Sequence, residues 1–170
     1  MFLGKNIPYS TNPLKKHKIK EKTGGGTMIK VTWEGKMKFR GIGPSNHEVF
    51  MDTDAAGGED TAARPAEVMM MSLGGCTGMD VVAILNKMQI AGYEFWLEIE
   101  PTWAEDHPKI LKHVKMTYCF KGENLPKDKI ERAVFLSQTK YCRVSNTLIK
   151  AAPMEVYINL NGETWQLKTQ

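Results

Sequence analysis

The sequence predicts an α+β fold in which antiparallel sheets carry two main helices on one face. Two long segments between Tyr93 and Lys121 are typical of strands, and the first of them alternates clearly between apolar and polar residues, as half-buried strands do. A segment from Pro65 to about Met88 is apolar nearly all round, which is typical of a central, enclosed helix. A second segment that begins near Pro126 places its apolar residues at helical spacing. Strand pairs followed by helices favour α+β over a parallel α/β architecture.

Before the first helix, the residues predict two short strands. Alternation from Ile29 to Phe39 predicts the first, with a bulge or turn near Gly35. A second strand is expected over "HEVFMD", from His47 to Asp52. Pro65 then suits the first turn of a helix, where a missing N–H has no partner to lose.

After that helix, the chain predicts a hairpin, a second helix and a closing strand. The strands of the hairpin are expected at residues 93–103 and 110–121. The second helix leads to a short helical turn near residues 145–150, and "MEVYINLNG" forms the last strand. The predicted order is therefore strand, strand, helix, strand, strand, helix, strand.

Charge is distributed unevenly along the 170 residues. The net charge is +4, but residues 1–27 contain six lysines and one glutamate, which leaves the remainder at about −1. We expect residues 1–27 to be a flexible basic leader or a vector-derived extension, and residues 28–170 to form a single domain. A nearly neutral domain has no electrostatic footprint for nucleic acid or an anionic membrane.

Neither a secretory signal nor a membrane-spanning segment is expected. The N-terminal residues lack the apolar stretch of a signal peptide, and no uninterrupted apolar run is long enough to cross a bilayer. These features predict a cytoplasmic protein that does not bind membranes.

The three cysteines, Cys76, Cys119 and Cys142, lie far apart in sequence. Without a CxxC pair or a close Cys/His group, the spacing predicts neither a metal site nor a cofactor. Each cysteine is then a core thiol or a reactive one, and strand position favours core packing for Cys119.

Glycines surround Cys76 within the first helix. Gly74, Gly75 and Gly78 would each cost a helix roughly 1 kcal/mol relative to alanine. Either another element approaches closely, or the helix breaks and leaves N–H groups directed at the sulfur, which favours the thiolate. A buried structural thiol remains an equally open alternative.

Two separated motifs resemble a known family. "RPAEVMMMSLGGCTGMDVVAILNKM" and "LSQTKYCRVSNTL" are similar to the OsmC/Ohr superfamily of osmotically inducible and organic hydroperoxide resistance proteins, within its OsmC-like branch. The similarity extends from Met28 to Glu163. It implies an intertwined homodimer with active sites at the subunit interface, acting in oxidative or osmotic stress.

The resemblance also implies a chemistry. By motif position, Cys76 matches the peroxidatic cysteine and Cys142 the resolving cysteine of a thiol-dependent peroxidase. An organic hydroperoxide would oxidise Cys76 to a sulfenic acid, Cys142 would condense with it to a disulfide, and a dithiol reductant, lipoyl-type or another thiol donor, would restore both. A non-catalytic dimer that binds a small apolar ligand at the interface is the alternative.

The family's supporting arginine and glutamate match less directly. Arg40 is the candidate cation, although counting from "WEG" puts the family arginine on Phe39, so Arg40 fits only if a bulge or loop intervenes. Glu67 is the candidate carboxylate, and on an unbroken helix it would face away from Cys76. Glu67 is therefore either part of the site or a favourable charge at the helix start.

Overall fold

The chain forms two sheets and three α-helices over residues 28–169, which are the residues that the computed structural model describes. The predicted basic leader, residues 1–27, lies outside them. The strands are β1 (Lys30–Gly35), β2 (Lys38–Ile42), β3 (Glu48–Met51), β4 (Tyr93–Trp103), β5 (Leu111–Gly122), β6 (Met154–Leu160) and β7 (Glu163–Leu167). The helices are α1 (Pro65–Lys87), α2 (Lys127–Leu136) and α3 (Arg143–Leu148). The α+β prediction is confirmed.

The first sheet is antiparallel, in the order β1-β2-β3. The predicted strand from Ile29 to Phe39 is divided into β1 and β2, because Gly35 at φ +104° and Lys36 at φ 47° turn the chain where a bulge or turn was expected. Cross-strand pairing of Trp33 with Phe39 puts these side chains on one face of the sheet, and both are exposed within the chain. This face also carries Val31 and Val49.

The second sheet has the order β4-β5-β6-β7 and is mixed. The hairpin of β4 and β5 is antiparallel as predicted, but β5 and β6 are parallel, a pairing that the expectation of antiparallel sheets did not include. The crossover through α2 and α3 explains the difference, because a helical connection returns the chain to the same end of the sheet. Strand β7 was not predicted either, and Gly162 at φ +93° makes the turn that leads into it.

Helix α1 is continuous, so the first of the two alternatives for its glycines, a break in the helix, is wrong. The alternative of close approach holds for two of them. A Cβ on Gly74 would lie 3.0 Å from Ile99 Cδ1, and one on Gly78 would lie 3.2 Å from Leu97 Cδ1. Glycine therefore lets α1 settle closely onto β4.

By length and composition, α1 is apolar enough to cross a membrane, with a mean hydropathy of 1.7 over 18 residues. This corrects the expectation that the chain holds no such segment. The helix nevertheless packs on β4, α2 and α3 and buries Leu73, Val81 and Leu85 completely, as the core helix of a globular domain does.

The core lies between α1, α2 and the inner face of β4, β5 and β6. Tyr118 and Phe120 of β5 are its largest fully buried side chains, and the Phe95 ring stacks on Phe120 with centroids 4.7 Å apart. This packing fixes α1 relative to the connection that carries Cys142.

Candidate active site

Cys76 lies in the middle of α1 and is partly accessible to solvent. Asp80 follows it by four residues, so the two side chains share one face of the helix. Asp80 is also half-buried. A thiol and a carboxylate thus project from the same face of the core helix.

Cys142 reaches the same place through an irregular connection. After α2 the chain makes a π-helical turn, Ser137–Tyr141, in which the Cys142 N–H donates to the Ser137 carbonyl at 2.9 Å. Cys142 then acts as the N-cap of α3, its sulfur accepting from the Ser145 N–H at 3.4 Å. The Cys142 side chain is completely buried.

The two predicted cysteines meet although they come from distant parts of the sequence. The Cys76 sulfur, the Cys142 sulfur and a carboxylate oxygen of Asp80 all lie within 4.8 Å of one another. Both cysteines are free thiols. A disulfide of about 2.05 Å requires a further approach of the sulfurs. Their catalytic roles stay a prediction, while their proximity is a feature of the fold.

Burial disfavours ionisation of the Cys142 thiol. Desolvation raises the pKa of the Cys142 thiol to about 11, the neighbouring Cys76 sulfur adds to the rise, and the Ser145 N–H opposes it. Cys142 therefore carries its proton at neutral pH. Of the two sulfurs, the more accessible Cys76 is the one that a molecule from solvent can reach.

A buried polar network supports the cysteines from behind. Thr77 Oγ1 is hydrogen-bonded to the Tyr118 hydroxyl and, at 2.7 Å, to Ser137 Oγ, and Gln138 Nε2 donates to Thr77 Oγ1 at 3.1 Å and to the Tyr118 hydroxyl. Ser145 Oγ donates to Gln138 Oε1 at 2.6 Å. The network joins α1, β5, the π-helical turn and α3, so it holds the two thiol-bearing segments in one arrangement.

Tyr118 and Ser137 both act within this network through their protonated hydroxyl groups. Burial raises the pKa of the Tyr118 phenol well above its usual value, so the hydroxyl stays protonated. Ser137 Oγ also lies 3.3 Å from Asp80 Oδ2, to which it donates. The network therefore reaches the carboxylate beside the two sulfurs.

Arg40 is engaged within the first sheet. Its Nε donates to Glu34 Oε1 and its Nη1 to Glu48 Oε1, each at 2.8 Å, and these carboxylates raise the pKa of the guanidinium. Strand pairing puts Phe39 on the opposite face of β2. Neither cysteine nor Asp80 is among the hydrogen-bond partners of Arg40 within the described chain. Its role at the thiols stays a prediction.

Glu67 lies at the start of α1 and is exposed. Its Oε2 accepts from the Arg64 backbone N–H at 2.9 Å, and its Oε1 is 3.5 Å from Arg64 Nη1. Because α1 is unbroken, nine residues of helix put Glu67 on the side opposite Cys76. These contacts are those of a helix-start charge, and a role of Glu67 in the site stays a prediction.

Two cavities flank α1. The larger, of about 960 Å³, lies between α1 and β4 and is walled mainly by apolar residues, among them Met71, Met79, Leu97 and Trp103. The smaller, of about 360 Å³, extends from Asp80 to Tyr141 and Lys87. Apolar molecules thus have room on either side of the helix that carries Cys76.

The site contains five residues that were not predicted from the sequence, namely Asp80, Thr77, Tyr118, Ser137 and Ser145. For Asp80 a signal existed, because it follows Cys76 at the helical spacing of four. The hydroxyl residues lack such a signal, since they come from four separate elements and meet only in the packed core.

Comparison with known proteins identifies the family. The family model for OsmC-like proteins matches residues 57–157, more than half of the chain. The chain belongs to the OsmC family. The matched part includes both Cys76 and Cys142 as well as Glu67, whereas Arg40 precedes it.

Several proteins are similar to this OsmC-family chain. Protein YhfA of Escherichia coli K12 is 32% identical over 122 residues, which cover 72% of this chain and 89% of YhfA. A hypothetical protein from Aquifex aeolicus VF5 matches with a TM-score of 0.69 at 23% identity, over 79% of this chain and 96% of its own. The organic hydroperoxide resistance protein OsmC of Legionella pneumophila matches with a TM-score of 0.57 at 15% identity, over 79% of this chain and 96% of its own. At these identities, the two structural matches show a shared OsmC fold.

Proposed function

We propose that this OsmC-family protein is a thiol-dependent peroxidase that reduces organic hydroperoxides in an oxidative or osmotic stress response. One observation carries the proposal: the partly accessible Cys76 and the fully buried Cys142 have their sulfurs within 4.8 Å of each other. Accessibility suits the first for attack on a peroxide, and burial suits the second for resolution. The name of the Legionella pneumophila structural match agrees with this activity.

Each step balances with the two thiols and one hydroperoxide. The Cys76 thiolate attacks the terminal peroxide oxygen, the O–O bond breaks, and an alcohol leaves after protonation. Cys76 is then a sulfenic acid. The Cys142 sulfur attacks the Cys76 sulfur, the hydroxide of the sulfenic acid leaves, and the Cys142 proton converts it to water. A dithiol reductant, lipoyl-type or another thiol donor, supplies the two electrons that reopen the disulfide.

The protein is proposed to act as a homodimer. Exposed large apolar side chains cover one face of the first sheet, where Trp33 and Val31 are 50% and 56% exposed, and α1 exposes Met79, which is 76% exposed. Such a surface is typical of a subunit interface. A second copy that covers Met79 would also cover part of the larger cavity, which Met79 lines. The three free cysteines suit a reducing compartment such as the cytoplasm.

A second candidate function rests on the larger cavity. Its volume of about 960 Å³ and its apolar walls fit an apolar ligand. In that case the protein is a binding module, and the cysteines are structural.

Intact mass under non-reducing conditions separates the two functions. The reduced protein is treated with one equivalent of cumene hydroperoxide per chain. We expect the loss of two hydrogen atoms from the wild type and from Cys119→Ala, which removes the buried thiol of β5. The same loss is expected to disappear in both Cys76→Ser and Cys142→Ser, with Cys142→Ser retaining a sulfenic acid that dimedone traps.

Two outcomes would refute the peroxidase. One is an unchanged wild-type mass after treatment, and the other is a disulfide that still forms in Cys142→Ser. Retention of a lipid by the purified protein with an unchanged mass would favour the binding module. The dimer is tested separately, by sedimentation of the wild type at micromolar concentration.

A further inference from the structure

We propose that Cys76, Asp80 and Cys142 form a binding site for a thiophilic divalent cation, of which Zn²⁺ is the representative. This site goes beyond peroxide reduction, because it requires only the reduced thiols and the carboxylate. The spacing of the cysteines in sequence gives no sign of it, since Cys142 joins the other two ligands only through the fold.

The ligand geometry is close to that of a zinc centre. Zinc–sulfur bonds of about 2.3 Å and zinc–oxygen bonds of about 2.1 Å at tetrahedral angles put neighbouring ligand atoms roughly 3.6–3.8 Å apart. The three ligand atoms here already lie within 4.8 Å of one another. Closure by about 1 Å is within reach of side-chain rotation, and Cys76 and Asp80 share a helix face that aims both at Cys142.

Hydrogen bonds orient two of the three ligands. Ser137 Oγ is 3.3 Å from Asp80 Oδ2, and the Ser145 N–H donates to the Cys142 sulfur at 3.4 Å. Ser137 is itself fixed by Thr77, and both are completely buried. Metal sites in proteins typically have such partners behind their ligands, because they set ligand orientation before the ion binds.

Charge and ligand chemistry select the ion. Among residues 28–169, Asp80 forms no ion pair with a lysine, arginine or histidine, so a bound cation would supply the missing positive charge. Two sulfurs favour Zn²⁺ over Mg²⁺ or Ca²⁺, which prefer oxygen ligands. Three protein ligands leave a fourth tetrahedral position for water or another small ligand, as in catalytic zinc sites.

Binding of the ion and oxidation of the thiols exclude each other. When a hydroperoxide oxidises the two zinc-bound thiolates, two protons are taken up and the products are the disulfide, an alcohol, water and free Zn²⁺. The disulfide removes two of the three ligands. This release step rests on the proposed peroxidase function, whereas the binding itself does not.

The test measures metal content on the full chain, reduced with a phosphine and handled without oxygen. After addition of Zn²⁺ and gel filtration, we expect about one zinc per chain by elemental analysis in the wild type and in Cys119→Ala. Affinity is expected to fall more than about 100-fold in Cys76→Ser and Cys142→Ser, and at least about tenfold in Asp80→Asn. Co²⁺ in place of Zn²⁺ should give a sulfur-to-cobalt charge-transfer band, and far-ultraviolet circular dichroism of the metal-free variants checks that each is folded.

The proposal is overturned if the folded wild type retains no zinc, if Cys142→Ser binds as tightly as the wild type, or if bound Co²⁺ shows no sulfur band. Intact mass after cumene hydroperoxide is measured on the metal-free protein in parallel. If the disulfide forms but zinc does not bind, the peroxidase proposal stands and the metal site is refuted. If zinc binds but no disulfide forms, the metal site stands and the peroxidase proposal is refuted.

Discussion

The Cys142 sulfur accepts a hydrogen bond from the Ser145 N–H at 3.4 Å, so the thiol beside Cys76 is also the N-cap of α3. One side chain thus starts a helix and belongs to the proposed reactive pair. A disulfide formed at this sulfur would therefore lie at the N-cap of α3.

Alkaline pH is expected to destabilise the reduced, metal-free protein through Cys142. Burial raises the pKa of its thiol from 9.0 to about 11. Below the pKa of the thiol in the unfolded chain, Cys142 is protonated in both the folded and the unfolded state, and its contribution to the stability of the fold is fully present. Between about pH 9 and pH 11 the unfolded chain releases a proton that the folded chain keeps, so stability falls as pH rises.

Urea unfolding in chelator and phosphine measures this effect. The free energy of unfolding of the wild type should fall more steeply over that pH range than the value for Cys142→Ser, whose hydroxyl can still cap α3 but does not titrate there. Parallel curves for the two proteins would show that Cys142 does not titrate as its burial indicates.

The helix glycines should respond differently to alanine. Nothing lies within 4 Å of a Cβ on Gly75, so Gly75→Ala should raise the free energy of unfolding by about 0.5–1 kcal/mol. Gly74→Ala and Gly78→Ala should raise the free energy of unfolding by clearly less than Gly75→Ala does, or should lower it, because the side chains of Ile99 and Leu97 must move. Chemical denaturation of the three variants gives the comparison, and equal gains at all three positions would contradict close packing of α1 on β4.

Loss of the Tyr118 hydroxyl should weaken the network behind the thiols. Tyr118→Phe leaves Thr77 and Gln138 each short of one buried partner, so we expect a loss of about 1–2 kcal/mol in the free energy of unfolding. Tyr157→Phe is the matched control, since its hydroxyl donates to the part-exposed Glu155. Similar small losses in both variants would mean that the network does not stabilise the fold as described.

Arg40→Gln separates a role in the sheet from a role at the thiols. Breaking the part-exposed pairs with Glu34 and Glu48 should lower the free energy of unfolding by no more than about 1 kcal/mol. A catalytic guanidinium would in addition require at least a tenfold fall in the rate of peroxide-driven disulfide formation. Arg64→Gln, at the start of α1, controls for the loss of a paired arginine, and a rate within twofold of the wild type for Arg40→Gln would exclude the catalytic role.

Local patterns in the sequence determined most of the elements. Alternation located β4 to the residue, and apolar helical spacing with Pro65 located α1 to within one residue at its end. A bulge or turn near Gly35 was also indicated, but the start of β2 there and the strand β7 were not predicted, because such short patterns do not distinguish strand from turn. The cysteine motifs were sufficient to indicate the OsmC family.

Which elements and side chains lie close to one another was decided only by the tertiary structure. The parallel pairing of β5 with β6, the contact of α1 with β4 through Gly74 and Gly78, and the meeting of Asp80 with both cysteines all join residues that are distant in the chain or lie on different elements. The periodicity of apolar residues predicts which face of a helix or strand is buried, but it does not predict which other element covers that face. That choice depends on side-chain packing summed over the whole core, which is why the sequence could name the two thiols but could not show that Asp80 lies close to both of them.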